Sequence, residues 1–184
     1  MVTRAVAQYD RQIAELFPRH PDHAIFASLP GAGPVLAPRL LAALGAQRER
    51  SANAAALQCF TGIAPVTKQS GGKRVVHRRC RCPLFQRQSF HEYAQESVLG
   101  CRWAAAYYLQ QRERGVTHHT AVRALGYKWQ RILFRCRQTH TPYENPRYET
   151  VLRQRKSPLV PLFRRVEVGK NPAKPRSAFP HKTR

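Results

Sequence analysis

Residues 121–136 (AVRALGYKWQRILFRC) place Val122, Leu125, Trp129, Ile132, Leu133 and Cys136 at steps of three and four. That period is one face of an α-helix. Such a stripe has to be buried, so the chain must supply matching apolar partners elsewhere. At 100° per residue, Lys128, Arg131 and Arg135 fall on the far side, within about one-sixth of a turn of each other. The helix is expected to dock by its Trp–Ile–Leu face and show cations to solvent. A solvated face and a nucleic-acid contact are equally open readings of those cations.

Partners for the stripe are present. Phe90, Tyr93, Ala94, Ser97 and Val98 make a second amphipathic helix, and Trp103, Tyr107 and Tyr108 anchor a third, ended by Gly115. Their helical spacing assigns these aromatics to a core rather than to a base-stacking platform. Strand alternation is scarce, with Arg74-Val75-Val76-His77 a short edge at most. The expected class is mainly α: a helical domain over 1–156, holding a hairpin at 28–45, a serine loop at 60–79 and a helical part at 84–156. Beyond it, 157–184 interleave Pro158, Pro161, Pro172, Pro175 and Pro180 with Lys and Arg. That composition is expected to form a basic arm, disordered when free.

Charge narrows the function. The chain has 184 residues with 32 Lys+Arg against 10 Asp+Glu, a formal net charge of +22. Such a surface is neutralised best by a polyanion, so nucleic acid is the default partner, ahead of an acidic membrane surface. About eight phosphate contacts would give a log–log salt slope near −7 on duplex DNA. The charge is uneven. Residues 1–50 hold six basic and four acidic side chains, whereas no Asp or Glu lies between Glu49 and Glu92, where Lys68, Lys73, Arg74, Arg78, Arg79, Arg81 and Arg87 accumulate. No run approaches the roughly 18 apolar residues of a membrane span. The opening MVTRAVAQYDRQIAELF lacks the apolar core of an export signal. Cytoplasmic, nucleoid-associated placement and reduced thiols are therefore expected for the five irregularly spaced cysteines, with no membrane partner.

Two glycine-rich stretches are candidate sites. In SLPGAGPVLAPRLLAALG (28–45), Gly31 and Gly33 precede a helix with Pro34 at its first position. This is the pattern of a helix-hairpin-helix element. Its amides and helix N-terminus can grip one phosphate without reading sequence. The same turn can also be plain packing between helices, and the residues leave both readings open. Pro38, one turn into the helix, is expected to kink it.

In FTGIAPVTKQSGGKRVVHRR (60–79), Ser70 is followed by Gly71, Gly72, Lys73 and Arg74. The glycines would leave its hydroxyl uncovered, while Lys68, Lys73, Arg74, Arg78 and Arg79 could hold a phosphodiester in line with it. On spacing alone, a flexible turn with solvated cations is the simpler account. A serine hydroxyl needs a base or a metal to attack phosphorus. Magnesium takes carboxylate oxygens, absent from this segment, and His77 is the one nearby base candidate. If Ser70 is catalytic, its carboxylates come from another segment or another polypeptide. Cys80-Arg81-Cys82 lacks zinc-ligand spacing and a second pair, and the adjacent His118 and His119 diverge around a helix axis. No metal site is assigned to this chain.

The order PGAGPVLAPRLLAALG, CFTGIAPVTKQSGGKR, RWAAAYYLQQRERGVTHHTAVRALGYKWQRILFRC and TPYENPRY, from about Tyr9 to Lys156, resembles the C-terminal part of the IS-one-ten insertion-sequence transposases, grouped with IS-one-sixteen and IS-nine-oh-two. The resemblance implies a mobile-element recombinase working with an element-encoded guide RNA, as a homo-oligomer. It implies that Ser70 is the nucleophile of the family's Ser-Gly motif, and that Pro30 to Gly33 contact nucleic acid. Family members begin with a nuclease domain whose acidic tetrad holds magnesium. This chain is expected to lack that domain and to carry no cofactor of its own, acting as the second half of an enzyme. A truncated copy and a separately encoded fragment both fit that expectation. The competing class is a non-catalytic basic nucleic-acid-binding protein that uses the hairpin and the tail.

Overall fold

The computed structural model describes residues 2–166. Eight helices follow in order, with one small sheet between the fourth and fifth. They are α1 (Val2–Leu16), α2 (His23–Ala27), α3 (Gly33–Leu44), α4 (Ala54–Phe60), α5 (Leu84–Gly100), α6 (Arg102–Glu113), α7 (His118–Thr139) and α8 (Asn145–Gln154). The sheet pairs β1 (Val66–Ser70) with β2 (Lys73–His77) in antiparallel fashion. The class is mainly α, as the periodicity requires.

The stripe that opens the sequence reading sits at the centre. Val122, Leu125, Trp129 and Leu133 are buried, with Ile132 and Cys136 at the margin of the same cluster. The helix is longer than the stripe and stops at His140, which adopts a left-handed φ of 52° and donates its N–H to the Cys136 carbonyl. On the opposite face Arg131 and Arg135 are exposed. Lys128 is half-buried instead, its Nζ 4.7 Å from the centre of the Tyr107 ring.

Close packing of α5 on α7 depends on small residues. A Cβ built at Gly126 would lie 3.5 Å from both the Ala94 Cβ and the Phe90 carbonyl oxygen, so the two backbones approach where neither carries bulk. Around this seam the Trp103 and Trp129 rings stand 4.7 Å apart. Both buried indoles are satisfied: Trp103 Nε1 donates to the Tyr143 hydroxyl at 2.7 Å and Trp129 Nε1 to Ser97 Oγ at 2.8 Å. Burying such groups without partners would cost about 1–3 kcal/mol each. Of the predicted core aromatics, Phe90, Tyr93, Trp103 and Tyr108 are buried, and Tyr107 is half-buried at the margin of the cluster.

A buried carboxylate fastens the remaining helices. Asp22, 1% exposed, accepts from Arg48 and, at 3.4 Å, from Arg137, which also donates to the Gly45 carbonyl at 2.7 Å. One acid thereby ties the start of α2 to the ends of α3 and α7.

Two expectations change. The serine loop is not irregular: ten of its residues form the two-stranded hairpin, and both strands are almost wholly exposed, so no burial alternation marked them. The helix after the glycine turn continues through Pro38, the position of the expected kink. The fold also extends past the expected boundary at 156. A 3-10 turn at Val160–Arg164 docks on α6, burying Leu159 and Phe163. The rest of the expected basic arm, with Pro172, Pro175 and Pro180, lies outside the described residues.

Candidate nucleic-acid interface

Ser70 ends β1, and Gly71-Gly72 turns the chain into β2. Gly71 has a φ of +54°, a conformation glycine adopts freely and one that suits the two-residue turns joining twisted antiparallel strands. Ser70 pairs with Lys73, Gln69 with Arg74, Lys68 with Val75, and Val66 with His77. Alternation of side chains across a sheet then sorts the candidates. Ser70, Lys73 and Lys68 share one face at the tip, and Arg74 lies on the other. His77, the candidate base, sits four positions away at the foot, about 13 Å by strand rise. The hairpin supplies no base for this serine.

All of these side chains are exposed, and nothing lies within 4 Å of where a Cβ at Gly71 or Gly72 would stand. Arg78 and Arg79 belong to the foot rather than the tip. Arg79 donates towards Cys59 Sγ, and Arg87 donates at 3.4 Å to the Arg79 carbonyl.

The glycine turn is a separate place. Gly31 (φ +79°) presses its backbone on the C-terminal end of α5, where a Cβ would come within 2.8 Å of the Glu96 carbonyl oxygen. Gly31 therefore answers to packing. Gly33 (φ +56°) has open space around it and, with Pro34 and Val35, is exposed at the start of α3. The hairpin leads instead into the N-terminal end of α5 at Leu84. A helix of 17 residues, about 25 Å at 1.5 Å per residue, separates the two candidate sites.

Carboxylates do not gather near Ser70. Asp22 is held by two arginines, Glu92 pairs with Arg39, Glu149 faces Arg102 and Arg153, and Glu113 pairs with Arg165. Among the described residues, no three His, Cys, Asp or Glu side chains come together as a metal site. Magnesium does not fit the described residues around Ser70. The cysteines are free thiols, and burial pushes the Cys101 thiol up to about 12, which keeps it protonated. No helix of the described residues is long and apolar enough to cross a membrane.

Sequence reasoning missed one cluster. Arg87 and His91 lie one turn apart on α5, and His119 and Arg123 one turn apart on α7. With Arg78 at the hairpin foot they line a single groove. Four-residue spacing on each helix was a usable signal. That the two faces oppose one another was not.

Residues 23–109, from α2 into α6 and including both glycine-rich elements, match the model of the transposase IS116/IS110/IS902 family. The chain is 33% identical over 137 residues to the "Mini-circle putative transposase for IS117" of Streptomyces coelicolor, covering 74% of this chain and 33% of that protein. It is 29% identical over 141 residues to the 42 kDa protein of insertion element IS900 of Mycobacterium paratuberculosis, covering 75% and 35%. It is 32% identical over 117 residues to the 44.8 kDa protein of insertion element IS116 of Streptomyces clavuligerus, covering 63% and 29%. All of these matches are to proteins of insertion elements. The chain is similar to the IS116/IS110/IS902 transposase family over residues 23–109, and it spans about a third of the length of these curated relatives.

Proposed function

We propose that this chain engages nucleic acid for a DNA transposition reaction and presents Ser70 as the strand-transfer nucleophile. The observation that carries this reading is the hairpin tip: an exposed serine flanked on its own face by Lys68 and Lys73, beside two glycines that leave the approach clear. Two ammonium groups there can hold a phosphodiester while Oγ attacks phosphorus. The new Oγ–P bond forms as the bond to one bridging sugar oxygen breaks, and the leaving oxygen departs with the DNA end. Arg74 tracks the backbone on the opposite face, while Arg78 and Arg79 extend the cationic surface to the foot.

The hydroxyl proton needs an acceptor that the hairpin does not supply. The carboxylates that activate the serine therefore come from another polypeptide or another segment. Gly31 and Gly33 mark a second, positioning contact with nucleic acid. An element-encoded guide RNA and assembly into a homo-oligomer complete the reading, and a DNA partner places the protein with the nucleoid.

In the test, the purified chain is incubated with DNA alone and with an acidic, magnesium-holding nuclease domain of the family supplied in trans. The chain alone should bind DNA with a steep salt dependence and leave both strands intact. With the added domain, a strand should become covalently attached to the chain, and Ser70→Ala should abolish attachment without weakening binding. Magnesium-dependent nicking by the chain alone, abolished by Ser70→Ala, would overturn the need for outside carboxylates. The distance of His77 from Ser70 favours one second reading, a non-catalytic binding protein. Under it, no attachment forms and charge reversal at Lys73 and Arg74 weakens binding uniformly.

A further inference from the structure

Between the N-terminal halves of α5 and α7 and the foot of the hairpin lies a groove of about 540 Å³. Its lining includes Arg78, Arg87, Arg123, His91 and His119. The His91 and His119 rings meet at their nitrogens, 3.4 Å apart. Glu92 is the lining carboxylate, and both its oxygens are engaged: one takes Arg39 and the other accepts from Gln88 Nε2 at 2.7 Å. Among the described residues none of the three groove arginines makes an ion pair. Arg123 donates to Thr120 Oγ1 at 3.0 Å, and Arg87 to Cys82 Sγ and the Arg79 carbonyl at 3.4 Å.

Three guanidiniums held together without a counter-charge repel one another. The pKa of Arg123 is lowered, first by burial and then by the charges of Arg78 and Arg87. His91 is likewise lowered, by burial, His119, Arg123 and His118, with Glu92 opposing. A fixed arrangement of this kind is relieved by an anion, and planar guanidiniums suit phosphate oxygens. The groove also has an apolar lip, Leu84, which is 65% exposed. Cations beside apolar surface match a chain of phosphates and sugars better than a free ion.

We infer that this groove binds the phosphodiester backbone of a nucleic-acid strand, with Arg87 from α5 and Arg123 from α7 flanking one phosphate and Arg78 joining that contact to the hairpin. The inference rests on the nucleic-acid binding proposed above and is independent of the chemistry of Ser70. The hairpin strand from foot to tip covers about 13 Å.

The test uses the whole chain, with fluorescence anisotropy of a labelled DNA duplex and of a labelled RNA hairpin over a range of KCl concentrations. Arg123→Gln should weaken binding to at least one probe by about fivefold to tenfold and lower its log–log salt slope by about one. Arg87→Gln/Arg123→Gln should lower the slope by about two. The probe affected identifies the strand. Melting temperatures of both variants should match or exceed the parent, because removing either cation relieves repulsion. If both probes keep parental affinity and slope in the double variant while Lys73→Gln weakens them, the groove is not a phosphate site and the hairpin reading stands. If the parent binds neither probe, both readings fall together.

Discussion

The α5–α7 seam and the β1–β2 hairpin are neighbours in sequence and opposites in construction. In the seam, Phe90, Tyr93, Trp103 and Trp129 are at most 1% exposed, and the polar atoms of Ser97 and Tyr143 meet the indoles. In the hairpin nearly every residue is exposed, and the strands are held by their own ladder and a two-glycine turn. The buried part of the seam holds the chain in one shape, and only its polar margin at the N-terminal halves of α5 and α7 is open to a ligand. The hairpin contributes little to the core, so its side chains are free to be chosen for a partner. Stability and binding are thus assigned to different residues, and substitutions should separate them.

The largest effect belongs to the seam. Trp129→Ala removes a ring packed against Tyr93, Trp103 and Tyr143 and should cost about 3–5 kcal/mol in urea denaturation. A loss below about 1 kcal/mol would mean that the seam is not the core. Asp22→Ala should cost about 3 kcal/mol or more, because it leaves the buried Arg137 without its carboxylate.

The glycine turn tests where packing ends and binding begins. Gly31→Ala combines a positive φ with a Cβ driven to 2.8 Å from the Glu96 carbonyl oxygen, and should cost about 2–3 kcal/mol. Gly33→Ala meets only the conformational penalty, about 1 kcal/mol. If that single methyl nevertheless lowers DNA affinity by more than the stability change explains, Gly33 is a phosphate contact as well as a turn. Equal destabilisation by the two substitutions would erase the distinction.

The sequence displayed the seam clearly because burial on one side of a helix writes its period into the residue order. α7 was legible from Val122 to Cys136 for that reason. The hairpin was legible only in part: Arg74 to His77 read as a short edge beside the Gly-Gly turn, but every strand residue except the half-buried Val66 is exposed, so no alternation marked the pair. Asp22 was illegible because its partners stand 26 and 115 residues away. Leu159 and Phe163 were hidden among prolines and cations that read as a compositional tail. Ser70, Gly31 and Gly33 were legible as motifs, but only coordinates could show that they occupy opposite ends of α5. The groove needed two helices facing each other, which no single periodicity encodes.

At the hairpin tip the expected stability change is close to nothing. Ser70→Ala and Lys73→Gln should each leave unfolding free energy within about 0.5 kcal/mol of the parent. Only Lys73→Gln should weaken DNA binding, with a salt slope shallower by about one. A destabilised Ser70→Ala variant would show that the hairpin packs on the body after all.

The smallest effect is the most diagnostic of the groove, because its sign should reverse with a ligand. His91 on α5 faces His118, His119 and Arg123 from α7, with Glu92 beside it on its own helix. Burial first, then these cations, holds its folded-state pKa below the usual histidine value. The unfolded chain therefore takes up the proton first as pH falls through about 6.5. Stability contributed by the neutral ring is present above that value, declines as pH drops, and levels once the folded ring is protonated too. His91→Gln should make this decline shallower in the free protein, measured by urea denaturation between roughly pH 5 and 7. A bound phosphate turns the balance, because it favours the protonated ring. In the presence of saturating oligonucleotide the parent should then release less readily as pH falls, and His91→Gln should remove that gain. A decline with pH unchanged by His91→Gln, with and without oligonucleotide, would detach the histidine pair from the arginines and leave the groove with its three guanidiniums alone.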